Sequence, residues 1–191
     1  MAKLYFKYGA MGSSKTAQAL ITRFNYEERG MAVRFLKPKT DNRDGERIAV
    51  SRIGLSAECI AVGEEDSIIS LLGVGGFDAV VCDECQFFTA SQIDELRRIV
   101  DDFDIPVLCF GLRTDFSTHL FPGSQRLFEI ADSISEIKTV CACGKKATVN
   151  ARMTDDGRIT TDGEQLLLGG NERYIAMCHK CWRDRIKKET H

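Results

Sequence analysis

The chain has 191 residues, and its 26 Lys and Arg residues nearly balance its 28 Asp and Glu residues, giving a formal net charge of −2. This balance excludes a protein that binds nucleic acid mainly through a basic field. No apolar run approaches the roughly 18 residues of a membrane span, and residues 1–7 are too interrupted for a secretory signal. We therefore expect a globular, cytoplasmic protein with no membrane partner.

The first 130 residues alternate between strand-like and helix-like patterns. The predicted strands are residues 4–8, 32–36, 77–82 and 105–110, and the predicted helices are residues 15–29 and 89–103. This alternation predicts βαβ units, and hence an α/β fold in which a parallel sheet has helices on both faces. Ligands of such sheets bind at the carboxyl ends of the strands, where Gly9, Asp83 and Gly111 fall.

A predicted phosphate loop follows the first strand and opens the first helix. Its backbone N–H groups and a lysine would face the phosphates, and its last hydroxyl would face Mg²⁺. The usual pattern has glycine where this chain has Ser14; if that position needs a positive φ, serine costs about 1 kcal/mol unless Gly12 supplies the freedom. The alternative is an ordinary Gly/Ser turn. The loop residues are Gly9, Ala10, Met11, Gly12, Ser13, Ser14, Lys15 and Thr16.

Two adjacent acids, Asp83 and Glu84, end the third predicted strand. A phosphate loop needs such a partner, because Mg²⁺ takes an oxygen ligand from the neighbouring strand. A second carboxylate beside the γ-phosphate can orient an acceptor hydroxyl and take its proton. The alternative is that both acids simply end a strand at the surface.

The eight cysteines fall into two groups. Cys59, Cys82, Cys85 and Cys109 are scattered, and we expect buried, unpaired thiols. The others form two close pairs, the arrangement of a structural zinc site with no open position, with Gly144 providing the first turn. An iron–sulfur cluster and unligated thiols are the alternatives. Strands at 147–152 and 174–177 would flank this site, with a loop over 154–171. The predicted ligands are Cys141, Cys143, Cys178 and Cys181.

Five motifs together resemble those of the zinc-containing thymidine kinases, the tetrameric family found in many bacteria and in animal cytosol. They are the phosphate loop at 9–16, Asp-Glu-Cys-Gln-Phe at 83–87, Gly-Leu-Arg-Thr-Asp-Phe at 111–116, the cysteine pairs, and Gly-Gly-Asn-Glu-Arg-Tyr at 169–174. The resemblance runs essentially end to end. It implies a RecA-like phosphate-loop domain over residues 1–138 and a zinc-binding β lobe with a lasso loop over residues 139–191.

The resemblance also implies an activity: a homotetramer transfers a phosphoryl group from ATP to the 5′-hydroxyl of thymidine and is inhibited by thymidine triphosphate. Glu84 would be the general base, and Asp83 would belong to the Mg²⁺ arrangement. The ATP site would comprise the phosphate loop with Asp83, Glu84, Cys85 and Gln86. The nucleoside site would comprise Met11, Leu112, Phe116, Gln165, Leu166, Leu167, Leu168, Gly169 and Tyr174.

Two other functions stay open at this point. One is a phosphate-loop kinase for another nucleoside, such as deoxyuridine. The other is an ATPase fused to a nucleic-acid-binding zinc ribbon, for which the basic stretches 145–146 and 183–188 are the best indication. Basic helix ends are more often simply solvated, so we expect no nucleic-acid partner. Arg52, Arg113 and Arg126 are candidates for neutralising transition-state charge, and the sequence does not choose among them.

Overall fold

The computed structural model describes residues 1–42, 45–73, 75–165 and 173–189. A short 3₁₀ helix, Cys85–Phe87, lies between β6 and α3. The elements of the described chain are β1 (Leu4–Tyr8), α1 (Lys15–Glu27), β2 (Val33–Pro38), β3 (Ile48–Val50), β4 (Ser56–Glu58), β5 (Ile60–Val62), α2 (Ile68–Leu72), β6 (Ala79–Cys82), α3 (Ala90–Phe103), β7 (Val107–Gly111), α4 (Pro122–Ile130), β8 (Ser133–Glu136), β9 (Val149–Met153), β10 (Ile159–Thr160), β11 (Tyr174–Met177) and α5 (His179–Glu189).

Within these ranges, six strands form a parallel sheet in the order β5-β2-β6-β7-β1-β8. The predicted α/β fold is confirmed, and the bounds of the predicted strands and helices of this domain differ from the observed ones by at most two residues. None of the helices in the described part of the chain is both long and apolar enough to cross a bilayer.

Both faces of this sheet are covered, and this explains why its central strands are apolar throughout rather than alternating. Leu96 and Ile99 of α3 belong to the same core cluster as Leu4 and Phe6. On the other face, Leu20 of α1 belongs to a cluster with strand residues of β2, β6 and β7. The carboxyl ends of β1, β6 and β7 are thereby fixed side by side at one edge.

The start of α3 is set by a capping box. The Thr89 hydroxyl accepts a hydrogen bond from the Gln92 N–H at 3.2 Å, and the Gln92 side chain accepts one from the Thr89 N–H at 3.1 Å. These bonds satisfy two backbone donors that a helix start otherwise leaves unpaired. The helix thus begins at Ala90, one residue after the predicted start.

A second sheet of three antiparallel strands, in the order β10-β9-β11, carries the C-terminal part of the chain. The predicted strands at 147–152 and 174–177 correspond to β9 and β11. Strand β10 lies inside the segment predicted as a loop, so that prediction is wrong at this point. Ile159 pairs with Met153 and is buried, but two residues are too few to show a strand period in the sequence.

Candidate active site

The phosphate loop leaves β1 at Gly9, where a side chain would not fit, since a Cβ atom would lie 2.5 Å from the Ile137 carbonyl oxygen. Ser14 has φ 60° and ψ 31°, in the left-handed region, so the departure from glycine falls where positive φ is required. Gly12 is also left-handed, with φ 73°. It therefore does not relieve Ser14 of its strain, which is about 1 kcal/mol.

Lys15, the first residue of α1, is folded back over this loop. Its ammonium group donates to the Ala10 carbonyl at 3.0 Å and lies 3.4 Å from the Ser13 hydroxyl. Burial lowers the pKa of Lys15, and the nearby carboxylates of Glu84 and Asp83 oppose that shift. The loop thus holds a cation that faces the acid pair.

Asp83 follows β6 and is 3% exposed. Its pKa is raised to about 7, first by burial and then by repulsion from Glu84, while a hydrogen bond with Thr16 and the charge of Lys15 oppose the rise. The buried Oδ1 atom of Asp83 has no hydrogen-bond partner among the described residues. An unpaired buried carboxylate oxygen is costly alone and is a suitable ligand for a hard cation.

Glu84 begins the 3₁₀ helix in a left-handed conformation, with φ 49°. Its Oε2 atom accepts a hydrogen bond from Gln86 Nε2 at 2.6 Å, and Gln86 Oε1 accepts one from the Leu112 N–H at 2.9 Å. Gln86 is completely buried. A Cβ atom at Gly111 would lie 2.7 Å from Gln86 Oε1. The ends of β6 and β7 are thus joined through one amide that also orients the Glu84 carboxylate.

A cavity of about 360 Å³ opens at this edge of the sheet. It brings together the phosphate loop, the acid pair and the segment after β7. The predicted site residues that line it are Met11, Gly12, Ser14, Lys15, Thr16, Asp83, Glu84, Gln86, Leu112, Phe116, Gln165 and Tyr174.

The other predicted site residues are placed differently. Gly9, Ala10 and Ser13 shape the loop without lining the cavity, and Cys85 is buried in the core. Leu166, Leu167, Leu168 and Gly169 lie outside the described residues.

One wall of the cavity is aromatic. Phe87 and Phe121 pack edge to face with ring centroids 5.4 Å apart, and Phe116 and Tyr174 lie on the same cavity. Flat apolar surfaces beside a few polar groups are typical of a pocket for a planar base.

Apart from Arg52, sequence reasoning missed the side of the cavity formed by Thr40, Asp41 and the β3–β4 hairpin. Lys37 of β2 is 2% exposed and holds this region by donating to the carbonyls of Gly45 and Ile48, each at 2.7 Å. A lysine inside an apolar strand is a sequence signal for such a buried anchor.

The three candidate arginines differ in whether they line the cavity. Arg52 lines the cavity, and its Nη1 atom lies 3.9 Å from the Cβ position of Gly12. Arg113 bonds the Thr148 carbonyl, and Arg126 pairs with Asp94 and Glu129. Neither of these two lines the cavity in the described chain. Arg52 is therefore the candidate that faces the phosphate loop.

Asn150 and Arg152 of β9 were also missed. Asn150 is buried; its Oδ1 accepts from the Met11 N–H at 2.8 Å, and its Nδ2 donates to the Thr114 carbonyl at 2.9 Å. It thus joins the phosphate loop to the segment after β7. The signal was available in the sequence, because polar residues two apart on an apolar strand share one face.

The two cysteine pairs meet at one end of the three-stranded sheet. The four sulfur atoms all lie within 4.8 Å of one another, with Cys143 Sγ 3.7 Å from Cys178 Sγ. Zinc–sulfur bonds of about 2.3 Å in a tetrahedron place sulfur atoms about 3.8 Å apart, so the cluster fits a four-thiolate metal site. Gly144, with φ 81°, closes the turn after the first pair, as predicted.

Comparison with known proteins agrees with this geometry. The family model described as thymidine kinase matches residues 2–182. The chain is 42% identical over 191 residues to a thymidine kinase of Yersinia pestis, covering 98% of this chain and 97% of that protein. It is 41% identical to a thymidine kinase of Escherichia coli strain K12, with 100% and 95% covered, and 45% identical to one of Legionella pneumophila strain Lens, with 93% and 88% covered. This chain therefore belongs to the thymidine kinase family.

Proposed function

We propose that this protein transfers the γ-phosphoryl group of ATP to the 5′-hydroxyl of thymidine, giving thymidine 5′-monophosphate and ADP. The observation that carries the proposal is that the phosphate loop, the acid pair and an aromatic wall all face one cavity. Family membership supports the choice of thymidine over other nucleosides.

The phosphate loop would bind ATP. Its backbone N–H groups and the start of α1 offer partial positive charge to the phosphates, and Lys15 is a buried cation beside them. Phosphoryl transfer depends mainly on positioning and on neutralising charge. Among the described residues, Lys15 and Arg52 are the cations that line the cavity, and they would supply this charge.

Mg²⁺ fits the residues between the loop and the acid pair. Asp83 Oδ1 is buried with no partner among the described residues, and the Thr16 side chain is hydrogen-bonded to the same carboxyl group. These two side chains would hold the ion, which when bound would neutralise phosphate charge.

Glu84 would act as the general base. It is half-buried on the cavity, and a 2.6 Å hydrogen bond from Gln86 orients its carboxylate, which would accept the proton of the 5′-hydroxyl. This division of work, with Asp83 for the ion and Glu84 for the proton, follows from their different burial.

The base would lie against the wall formed by Leu112, Phe116 and Tyr174, with Met11 on the phosphate side. The loop 165–169 would enclose it, and of this loop Gln165 lies on the cavity. The Cys141, Cys143, Cys178 and Cys181 cluster would hold a structural Zn²⁺, since four thiolates leave no position for substrate.

Three further features complete the proposal: a homotetramer, inhibition by thymidine triphosphate, and a cytoplasmic location. Ile21 and Phe24 on α1 are 45% and 56% exposed and offer apolar surface for assembly. Light scattering coupled to size exclusion tests the subunit number, and titration of the assay with thymidine triphosphate tests the inhibition.

The direct test is a steady-state assay with radiolabelled ATP and a panel of thymidine, deoxyuridine, deoxycytidine and deoxyguanosine. We expect thymidine to have the highest kcat/KM. A protein that phosphorylates another nucleoside in preference, or none, would contradict the proposal.

Glu84→Gln tests the role of the base. The amide keeps the shape and can still accept from Gln86, but it cannot take a proton. We expect kcat to fall about 10²–10⁴-fold with the KM values nearly unchanged. Glu27→Gln, on the surface of α1 in an ion pair with Arg23, is the matched control and should keep its kcat. A near-normal kcat for Glu84→Gln would exclude it as the base.

A further inference from the structure

Arg152 is a buried cation that belongs to neither the phosphate site nor the cysteine cluster. It lies on β9 and is 4% exposed. Among the described residues it forms no ion pair with a carboxylate; its hydrogen bonds go to a hydroxyl and to backbone carbonyls instead. Burying a guanidinium in this way is costly, so its contacts identify what it holds in place.

The three nitrogens of Arg152 reach both ends of the segment 166–172. On the entry side, Nη1 donates to the Glu164 carbonyl at 2.8 Å and Nη2 to the Gln165 carbonyl at 3.2 Å. On the exit side, Nε donates to the Tyr174 hydroxyl at 2.8 Å. One rigid, planar group therefore links the backbone at Glu164 and Gln165 to the side chain of Tyr174.

The same guanidinium also forms part of the support of the cavity wall. Its Cζ atom lies 3.5 Å from the centroid of the Phe116 ring and 5.2 Å from that of Tyr174. Gln165 is tied further by a 2.9 Å hydrogen bond from its amide to Asp115 Oδ2. Phe116, Gln165 and Tyr174 all line the cavity, whereas Arg152 itself does not.

We propose that Arg152 is a positioning residue for the nucleoside half of the site: it holds Phe116, Tyr174 and the entry of the segment 166–172 in the arrangement that binds the base. This inference rests on the proposed function. The hydrogen bonds and ring contacts of Arg152 go to this half of the site and not to the phosphate loop. Arg152 therefore acts on nucleoside affinity and leaves ATP binding and the proton transfer to Glu84 unaffected.

Arg152→Lys is the test, because it keeps the positive charge but loses the planar fork and the stack on Phe116. We expect the KM for thymidine to rise about tenfold or more, equal to at least about 1.4 kcal/mol. The KM for ATP and the kcat at saturating thymidine should stay within about threefold. If Arg152 were needed only for folding, the variant would contain less active enzyme, but the KM for thymidine would not rise separately from the KM for ATP.

Arg97→Lys is the matched control. Arg97 forms ion pairs with two carboxylates, Asp101 and Asp132, and does not line the cavity, so both KM values should stay unchanged. If Arg152→Lys is too unstable to assay, Tyr174→Phe removes one of its acceptors while leaving the arginine in place. We then expect a rise of about threefold in the thymidine KM alone.

The outcomes separate the inference from the proposed function. If the unmodified protein does not phosphorylate thymidine, the proposed function fails. If it does, an unchanged thymidine KM in Arg152→Lys, or an equal rise in the ATP KM, overturns the role of Arg152. In Tyr174→Phe, an unchanged thymidine KM would likewise overturn the role of Arg152.

Discussion

Replacing Asp83 with asparagine should stabilise the ligand-free protein while abolishing most of its activity. The Asp83 side chain is buried, it lies beside Glu84, and its Oδ1 atom has no partner among the described residues. An ionised carboxylate in that setting lowers the stability of the ligand-free protein, since its charge is compensated only when a cation is bound. Asparagine has nearly the same shape and carries no charge.

The size and the pH dependence of this change in stability follow from the pKa of Asp83, which is raised to about 7 from its ordinary value of 3.8. Between those values the folded state binds more protons than the unfolded state, so this group lowers the free energy of unfolding as the pH rises through that window. Above pH 7 the loss approaches about 4 kcal/mol, at ~1.4 kcal/mol for each pKa unit. Asparagine avoids this loss because it carries no charge, but its unpaired amide costs roughly 1–3 kcal/mol, which offsets part of the gain in stability.

Urea denaturation in magnesium-free buffer at about pH 5 and about pH 8 measures the effect. The free energy of unfolding of Asp83→Asn should be roughly 1–3 kcal/mol higher than that of the unmodified protein at the higher pH. At the lower pH the difference should be much smaller. Asp102→Asn, an exposed partner of Arg98 on α3, should show little change at either pH. A destabilised Asp83→Asn at about pH 8, or a difference independent of pH, would refute the reasoning.

Two other substitutions test local geometry. At position 14, where φ is 60°, glycine should give a free energy of unfolding about 1 kcal/mol higher than alanine, because only glycine is free of left-handed strain; urea denaturation of both variants measures this, and the reverse order would contradict it. Cys178→Ser should lower the zinc content, Tm and activity, whereas Cys59→Ser, a buried thiol outside the cluster, should keep its zinc. Metal analysis of both would decide, and full zinc with an unchanged Tm in Cys178→Ser would exclude the site.

The elements that a local pattern determines were predictable from the sequence. The strand before Gly9, the helix from Lys15 and the acids after β6 each follow from a run of neighbouring residues. The cysteine cluster was predictable for a different reason, since four thiols in two close pairs have few other uses. Ser14 shows the limit of such reasoning: the pattern identified the strained position, but only the backbone shows that Gly12 does not relieve it.

Contacts between distant residues were not predictable. Arg152 packs on Phe116 and holds the Tyr174 hydroxyl, and no local period records either contact. Likewise, Lys37 donates to the carbonyls of Gly45 and Ile48, eight and eleven residues further along the chain, and no local pattern records these contacts. In both cases a buried cation bonds backbone carbonyls, and the sequence shows the charge without showing the carbonyls.

Strand β9 connects the cysteine cluster to both halves of the proposed active site. Thr148, just before the strand, donates to the Met177 carbonyl next to the cysteines, while Asn150 contacts the phosphate loop and Arg152 contacts the nucleoside wall. Because side chains two apart share a face, a displacement of β9 moves both contacts together. Loss of zinc in Cys178→Ser should therefore raise the KM for ATP as well as that for thymidine, whereas Arg152→Lys should raise only the latter. A rise in the thymidine KM alone in Cys178→Ser would mean that β9 does not transmit the effect of the metal to the phosphate loop.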